Sequence, residues 1–299
     1  MIVILAPDKG IRGQARARIQ RLILGFRVKP GMTRAYFPRQ NKGDSDMGSR
    51  AAANEGKYLY AVIPAAGDRE YGDIGIGGGS VYLISNNQVG AVVSNFSDGK
   101  IRPERRHIAA HQAVLKRLME EDAVLPISFG VIAEGAKEIK RILSLNRKSF
   151  AEQLRRVHGK AEMGLRVAWD VPNIFEYFVN THAEIRAARD QFLGSNRVPT
   201  QEDKIEVGRL FDRVLQEDRE EHAERVESIL SPCCFEIKRN TPRNERDVMN
   251  LACLVGREAV DKDFEAAIFE AARGFDNNFA FDFNGPWAPH NFVDVELML

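Results

Sequence analysis

Long apolar runs are missing from this chain. No stretch of about 18 or more apolar residues occurs in its 299 residues, so no segment reads as a bilayer-spanning helix. Cysteine is scarce as well: Cys233, Cys234 and Cys253 are the whole complement, and none forms a C-x-x-C pair. Small buried hydrophobes in a reducing cytoplasm are the favoured reading of the three over a redox or metal role. Nor does one sign of charge dominate. Lys and Arg number 43 and Asp and Glu 42, a formal net charge of +1 that says little about partners. What is present, 44% hydrophobic and 28% charged residues, is ordinary for a globular protein. It suffices for one large domain or two of usual size that fold without disulfides or metals.

The even balance hides an asymmetry. Eleven of the 43 bases but only three of the 42 acids, Asp8, Asp44 and Asp46, precede residue 51. About 32 bases and about 39 acids therefore follow, a net charge near −7. A mildly acidic body argues against a primary nucleic-acid binder. In the leader, the apolar opening Met1–Ala6 comes before the bases, the reverse of a signal peptide. Residues 40–56 are small, polar and rich in Gly and Ala, and read as a disordered linker. The leader has three open readings: a basic arm for an acidic partner, a targeting segment, or a stretch upstream of a true start at Met47.

From residue 57 the pattern sharpens. Tyr58–Ile63 is aromatic and β-branched, a strand closed by Pro64. Gly72–Gly79 is a glycine-dense loop, and Val81–Ile84 and Val89–Val93 flank a hairpin turn at Asn86-Asn87. Pro103 opens a helix whose stripe is Ile108, His111, Leu115, Leu118 and Met119. Val124–Phe129 reads as a strand whose proline suits an edge or bulge, and two short helices follow near 135–144 and 147–157. Met163–Trp169 alternates as a strand. A helix from Pro172, a stop at Gly194 and a Thr200/Asp203 capping box then predict an antiparallel helical hairpin over about 172–230. Its polar middle, His182, Arg189, Asp218 and His222, is expected to project beyond the core. Strands at Cys234–Lys238, Val248–Val255 and Phe279–Phe283, with a helix over Asp261–Arg273, complete a β-α-β-β-α-β order, the split-βαβ pattern of ferredoxin-like folds. The first half repeats it with the glycine loop in place of the first helix. The expected fold is α+β in two related sheet domains, 57–158 and 159–299, after a leader of 1–56. The second domain carries the hairpin and a carboxy-terminal strap, 284–299.

Candidate chemistry is thin. Gly75–Gly79 leads into a strand with no Gly-Lys-Ser/Thr, so it reads as a flexible connector, not a phosphate cradle. His107 and His111 have the i, i+4 spacing of helical zinc sites but no catalytic Glu between them, and His111 lies on the apolar stripe. It reads as a hydrogen-bonded core or interface histidine. No Ser-His-Asp or Cys-His arrangement assembles, and the charges of 213–227 read as a solvated helix face. An RNA-binding version of the fold would need aromatics on its two central strands, which Val89–Val93 and Val248–Val255 lack.

Four motifs, in matching order over about 57–299, resemble the gas vesicle protein F/L family. They are Tyr58–Val62, the Leu-Pro-x-x-Phe-Gly run Leu125, Pro126, Phe129 and Gly130, the strand end Val167–Asp170 with Trp169, and the terminus Asn284–Val293. The terminus contains Gly285, Pro286, Trp287 and Phe292, and departs from the family at Asn284 for Thr, Ala288 for Pro and His290 for Tyr. The resemblance implies a modified ferredoxin-like first domain, an α+β second domain with a helical part, and a structural or assembly role at the gas vesicle within the cytoplasm. Its implied partners are the small shell protein and other accessory gas vesicle proteins, not nucleic acid or membrane. It carries no catalytic residue, metal or cofactor. The alternative is a ferredoxin-like RNA- or ligand-binding module. Trp287 and Phe292 are the candidate partner contacts, against the plainer reading that they anchor the strap to the protein's own core.

Overall fold

The computed structural model describes residues 2–5, 17–18, 56–65, 67–86, 88–97, 101–193 and 200–295. The expected turn residue Asn87, the stop at Gly194 and most of the leader lie outside these. The fold is α+β, with antiparallel strand pairing and helices, in two compact units. The first takes the described residues 56–162 and 287–295; the second takes 163–286 with 2–5 and 17–18. The leader contributes two short strands, β1 (Ile2–Leu5) and β2 (Ala17–Arg18). β1 runs antiparallel to the last strand, Ile2 opposite Phe283.

The first unit is built on the sheet β4-β5-β6-β3-β7, made of β3 (Gly56–Pro64), β4 (Glu70–Gly72), β5 (Val81–Ser85), β6 (Val89–Phe96) and β7 (Leu125–Pro126). A further short strand, β8 (Ile132–Ala133), pairs with β3. Both faces of this sheet are covered, which is why Val89–Val93 of β6 is a continuous apolar run and not an alternating one. One face packs on α1 (Arg105–Met119) through Val114, Leu115 and Leu118. The other packs on residues of α2 (Ala136–Leu145) and α3 (Arg147–Val157), with Ile139, Leu143, Phe150 and Leu154 as the seam. The register of β3 against β6 shifts between Leu59 and Ala61. An extra residue in a strand reverses the facing of everything after it. Tyr58, Tyr60, Ala61 and Ile63 therefore all join the α1 cluster, while Leu59 and Val62 join the other. The strand expected over Val124–Phe129 is only the two residues of β7, and the chain turns at Phe129 and Gly130.

The glycine loop is ordered, which corrects its reading as a flexible connector. Ile76–Gly78 forms a 3-10 turn, and the Ile76 N–H donates to Tyr60 Oη at 2.9 Å, whose hydroxyl is itself 2.9 Å from Ser94 Oγ. Gly75 admits no side chain there: a Cβ would lie 2.6 Å from the Gly79 carbonyl oxygen.

The second unit holds β9 (Lys160–Trp169, its amino-terminal residues in the first unit), β10 (Glu236–Arg239), β11 (Asp247–Gly256) and β12 (Phe279–Trp287), in the sheet order β10-β11-β9-β12-β1-β2. Alternate residues Met163, Leu165, Val167 and Trp169 face a core shared with Phe279, Phe281 and Phe283. That core is closed by α4 (Ile174–Thr181), α5 (Ala183–Leu193), α6 (Gln201–Leu230) and α7 (Glu265–Ala272), through Phe178, Ile185, Val226 and Ile268 among others. The single helix expected from Pro172 is two, parted at His182. The capping box at Thr200 is formed, with Asp203 N–H donating to Thr200 Oγ1 at 3.2 Å and Thr200 N–H to Asp203 Oδ2 at 2.8 Å. His222 does not project from the core as expected: its ring lies 5.0 Å from that of Phe275 and 5.1 Å from that of Phe279.

Two glycine substitutions test this packing in opposite directions. Gly208 sits inside α6 with open space where a Cβ would go, so Gly208→Ala should raise stability by about 1 kcal/mol through helix propensity. Gly75→Ala must push against backbone and should lower it by about 1–3 kcal/mol. Urea unfolding of the two variants beside the parent reads both signs.

Candidate functional site

The Leu-Pro-x-x-Phe-Gly run forms a turn at the edge of the first sheet. Leu125 is buried, and Pro126 pairs with Ala61, an edge position where its missing N–H costs no ladder bond. Past it, the Ile127 N–H donates to the Tyr60 carbonyl at 2.9 Å. The Phe129 ring packs edge-on to Tyr58 and His111. Gly130 has φ +92°, a conformation that favours glycine, and its N–H donates to Tyr58 Oη at 3.1 Å. The same hydroxyl lies 2.9 Å from His111 Nδ1. Since Tyr58 Oη accepts from Gly130, its proton is available for Nδ1, which assigns the imidazole proton to Nε2.

The terminal segment closes on this region and not on the second unit, where the sequence placed it. The reason is at two of its residues. Ala288 is buried in the cluster of Tyr58 and Leu115, and Asn291 grips the buried carboxylate of Glu162. The Asn291 N–H donates to one Glu162 oxygen at 2.7 Å and its side-chain amide to the other at 2.6 Å. Val293 and Val295 then pack in the cluster of α2 and α3. The strap also begins later than expected, since β12 continues through Gly285 and Pro286 to Trp287. Phe292 is 0% exposed, so its burial fits self-anchoring and corrects its candidacy as a partner contact. Trp287 is half-buried.

Trp169, the family-motif residue of the second unit, is buried with its ring 5.3 Å from Phe178 and the Arg219 guanidinium 5.8 Å from it. Its Nε1 meets no hydrogen-bond partner among the described residues. Nearby, the fully buried Asp247 accepts from Arg166 Nε at 2.7 Å and from the Arg243 N–H at 2.7 Å. Arg166 also reaches Asp282 at 3.2 Å. Burial raises the Asp282 pKa while Arg166 pulls it back, the pattern of a structural ion cluster that joins β9, β11 and β12.

The other candidate chemistries do not assemble. His111 is buried on α1, whereas the His107 ring nitrogen Nδ1 is 3.0 Å from the Arg102 carbonyl, so the two imidazoles do not converge on a metal. Among the described residues no group of three or more His, Cys, Asp or Glu side chains could hold a metal ion. Cys253 is buried, and Cys233 and Cys234 are half-buried with their sulfurs 3.9 Å apart. Burial pushes the Cys233 thiol up to about 12, far from a reactive thiolate.

What sequence reading missed is His290. Its Nε2 and that of His111 are both enclosed without a hydrogen-bond partner among the described residues. Burial lowers the His111 pKa to about 4, with nearby His290 adding to the fall and a backbone contact at Ile127 opposing it. Burial alone lowers His290 to about 4. The departure from the family's Tyr at this position was the available signal.

A folded-state pKa below the unfolded value of about 6.5 means that the unfolded chain binds the proton better, so stability is lost as pH falls from about 6.5 towards 4. For His111 alone the loss between pH 7 and pH 5 is about 2 kcal/mol. Thermal melts at those two pH values should show a smaller drop for the His111→Gln and His290→Gln double variant than for the parent. An equal drop would mean the two imidazoles do not set the acid sensitivity.

A family profile described as gas vesicle synthesis protein GvpL/GvpF matches residues 56–294. Gas vesicle protein F of a Nostoc species is 22% identical over 81% of this chain and 99% of its own length. Gas vesicle protein F of a Streptomyces species is 26% identical over 79% and 99%. The crystal structure of GvpF from Anabaena sp. PCC7120 superposes with a TM-score of 0.70 at 21% identity, over 81% of this chain and 99% of that one, a shared fold. No helix among the described residues is long and apolar enough to cross a membrane. The match spans more than half of the sequence and takes in the principal strands of both units, and the chain belongs to the gas vesicle GvpL/GvpF family.

Proposed function

We propose that this protein is an accessory factor of gas vesicle assembly that binds the small shell protein and other accessory gas vesicle proteins, and that it works by contact and not by catalysis. The observation that carries this reading is the family match over 56–294, both units together. The site geometry is consistent with it. The buried polar groups at the family motifs serve packing, in the Tyr58, Glu162 and Asp247 clusters, and no nucleophile-base pair stands among them. Its place of action is the gas vesicle, within the cytoplasm. We read both units as variants of one ferredoxin-like plan, since each orders its four main strands as second, third, first, fourth: β5-β6-β3-β7 and β10-β11-β9-β12.

Trp287 is the residue we assign to partner contact. It is half-buried, it opens the strap, and a tryptophan with part of its face in water is a common anchor of protein interfaces. Co-purification of the shell protein with the tagged parent and with Trp287→Ala tests this. Retained stability with at least a tenfold loss of capture is the expected outcome. A drop in stability of about 3–5 kcal/mol would place Trp287 in the protein's own core instead. Unchanged stability with unchanged capture would remove it from the interface.

A further inference from the structure

Charge in this protein is segregated by element. Residues 136–160, which contain α2 and α3, carry eight Lys and Arg against only Glu138 and Glu152. The apolar sides of the two helices are spent on the sheet. Their outward sides present Lys137, Lys140 and Arg141 on α2 and Arg147, Lys148 and Arg155 on α3, all exposed. None of the six has a carboxylate partner among the described residues, although ion pairs such as Arg69–Asp122, Arg117–Glu121 and Arg239–Glu227 occur elsewhere. Leu145, 44% exposed, sits where the two helices meet, an apolar side chain inside a basic field. Unpaired like charges on one surface repel one another, and an apolar centre with a charged rim is the make-up of an interface.

The matching surface is on the same chain. α6 carries ten Asp and Glu against five Lys and Arg. Glu217, Glu221 and Glu224 are exposed along one side of it and have no basic partner among the described residues. With Glu220, which pairs with Arg239, they extend the i, i+3, i+4 spacing of Lys137, Lys140 and Arg141. Residues so spaced share one helix face within about two turns. Two helices can therefore lie side by side with charges matched in pairs: Glu217 and Glu221 share the i, i+4 spacing of Lys137 and Arg141, and Glu221 and Glu224 the i, i+3 spacing of Lys137 and Lys140.

We propose that copies of this protein associate head to tail, the basic α2–α3 face of one molecule docking on the acidic α6 stripe of the next. The two patches differ, so the contact is heterologous. Such contacts propagate into rings or open filaments and do not stop at a symmetric pair. An assembly made this way is held largely by charge and weakens as salt screens it. RNA would also be drawn to the basic face, but that face displays no exposed aromatic side chain on which a base could stack, and the acidic stripe would have no role.

Sedimentation velocity of the full chain, at about 50 mM and about 500 mM salt, reads the association. The expected result is a concentration-dependent species of at least twice the monomer mass at low salt that dissociates at high salt. Two charge-reversed variants, K137E/K140E/R141E and E217K/E221K/E224K, should each sediment as monomers with unchanged circular dichroism. Mixed in equal amounts, they should associate again, because each then offers the other a complementary pair of faces. A parent that stays monomeric at low salt and high concentration overturns the proposal. So do reversed variants that associate as the parent does, or a mixture that stays monomeric. Loss of homopolymeric RNA binding by the K137E/K140E/R141E variant, with no change in mass of the parent, would also overturn it and assign the basic face to nucleic acid.

Discussion

The hydroxyl of Tyr58 is the joint on which the first unit depends. It accepts from the Gly130 backbone and faces His111 Nδ1, so one buried oxygen ties strand β3 to helix α1 and to the turn after β7. Apolar groups surround the Tyr58 ring: the Phe96 ring of β6 and the Phe129 ring of the turn at 6.2 and 6.0 Å, and Ala288 of the strap in the same cluster. A buried donor or acceptor left without a partner costs about 1–3 kcal/mol, so the three elements are held to one mutual arrangement by more than hydrophobic contact alone. Burial raises the Tyr58 pKa, which keeps the phenol protonated around neutral pH. The bulge between Leu59 and Ala61 extends this constraint. Alternation already sets Tyr60 on the same side as Tyr58, the bulge adds Ala61 and Ile63 to that side, and Tyr60 in turn pins the glycine loop through Ile76.

Much of this fold was legible because local physics and global packing agree. The stripe of His111, Leu115, Leu118 and Met119 marked α1 and its buried side. The alternation from Met163 to Trp169 marked β9 and the face it presents to the core, and Thr200 with Asp203 marked the start of α6. The bulge in β3 was not legible: Tyr58–Ile63 is apolar throughout, so a change of facing leaves no trace in the pattern. The home of the strap was hidden for another reason. Glu162 and Asn291 are 129 positions apart, and nothing in either neighbourhood announces that a carboxylate and an amide will meet. The strap was read as belonging with its sequence neighbours in β12, and only tertiary contact reassigns it. His290 was noticed as a departure from the family and not as one of two enclosed imidazoles, because enclosure is a property of packing.

The candidate site was legible in its residues more than in its use. Leu125, Pro126, Phe129 and Gly130 form one turn, as a contiguous motif must, and each has a physical reason to be what it is there. Trp169 and Phe292 are buried, each in its own unit, so they act as packing anchors. The surfaces proposed for partners are the exposed part of Trp287, a motif residue, and the charged faces of α2–α3 and α6, which lie outside the motifs. Net charge near zero concealed the last of these, since opposite patches cancel in a sum.

The role at the gas vesicle is tested most directly by deleting the gene in a vesicle-forming host and measuring buoyancy and vesicle shape by electron microscopy, with the gene supplied again as the control. The account predicts that vesicles disappear or become deformed and that the returned gene restores them. Normal, buoyant vesicles in the deletion strain would contradict it.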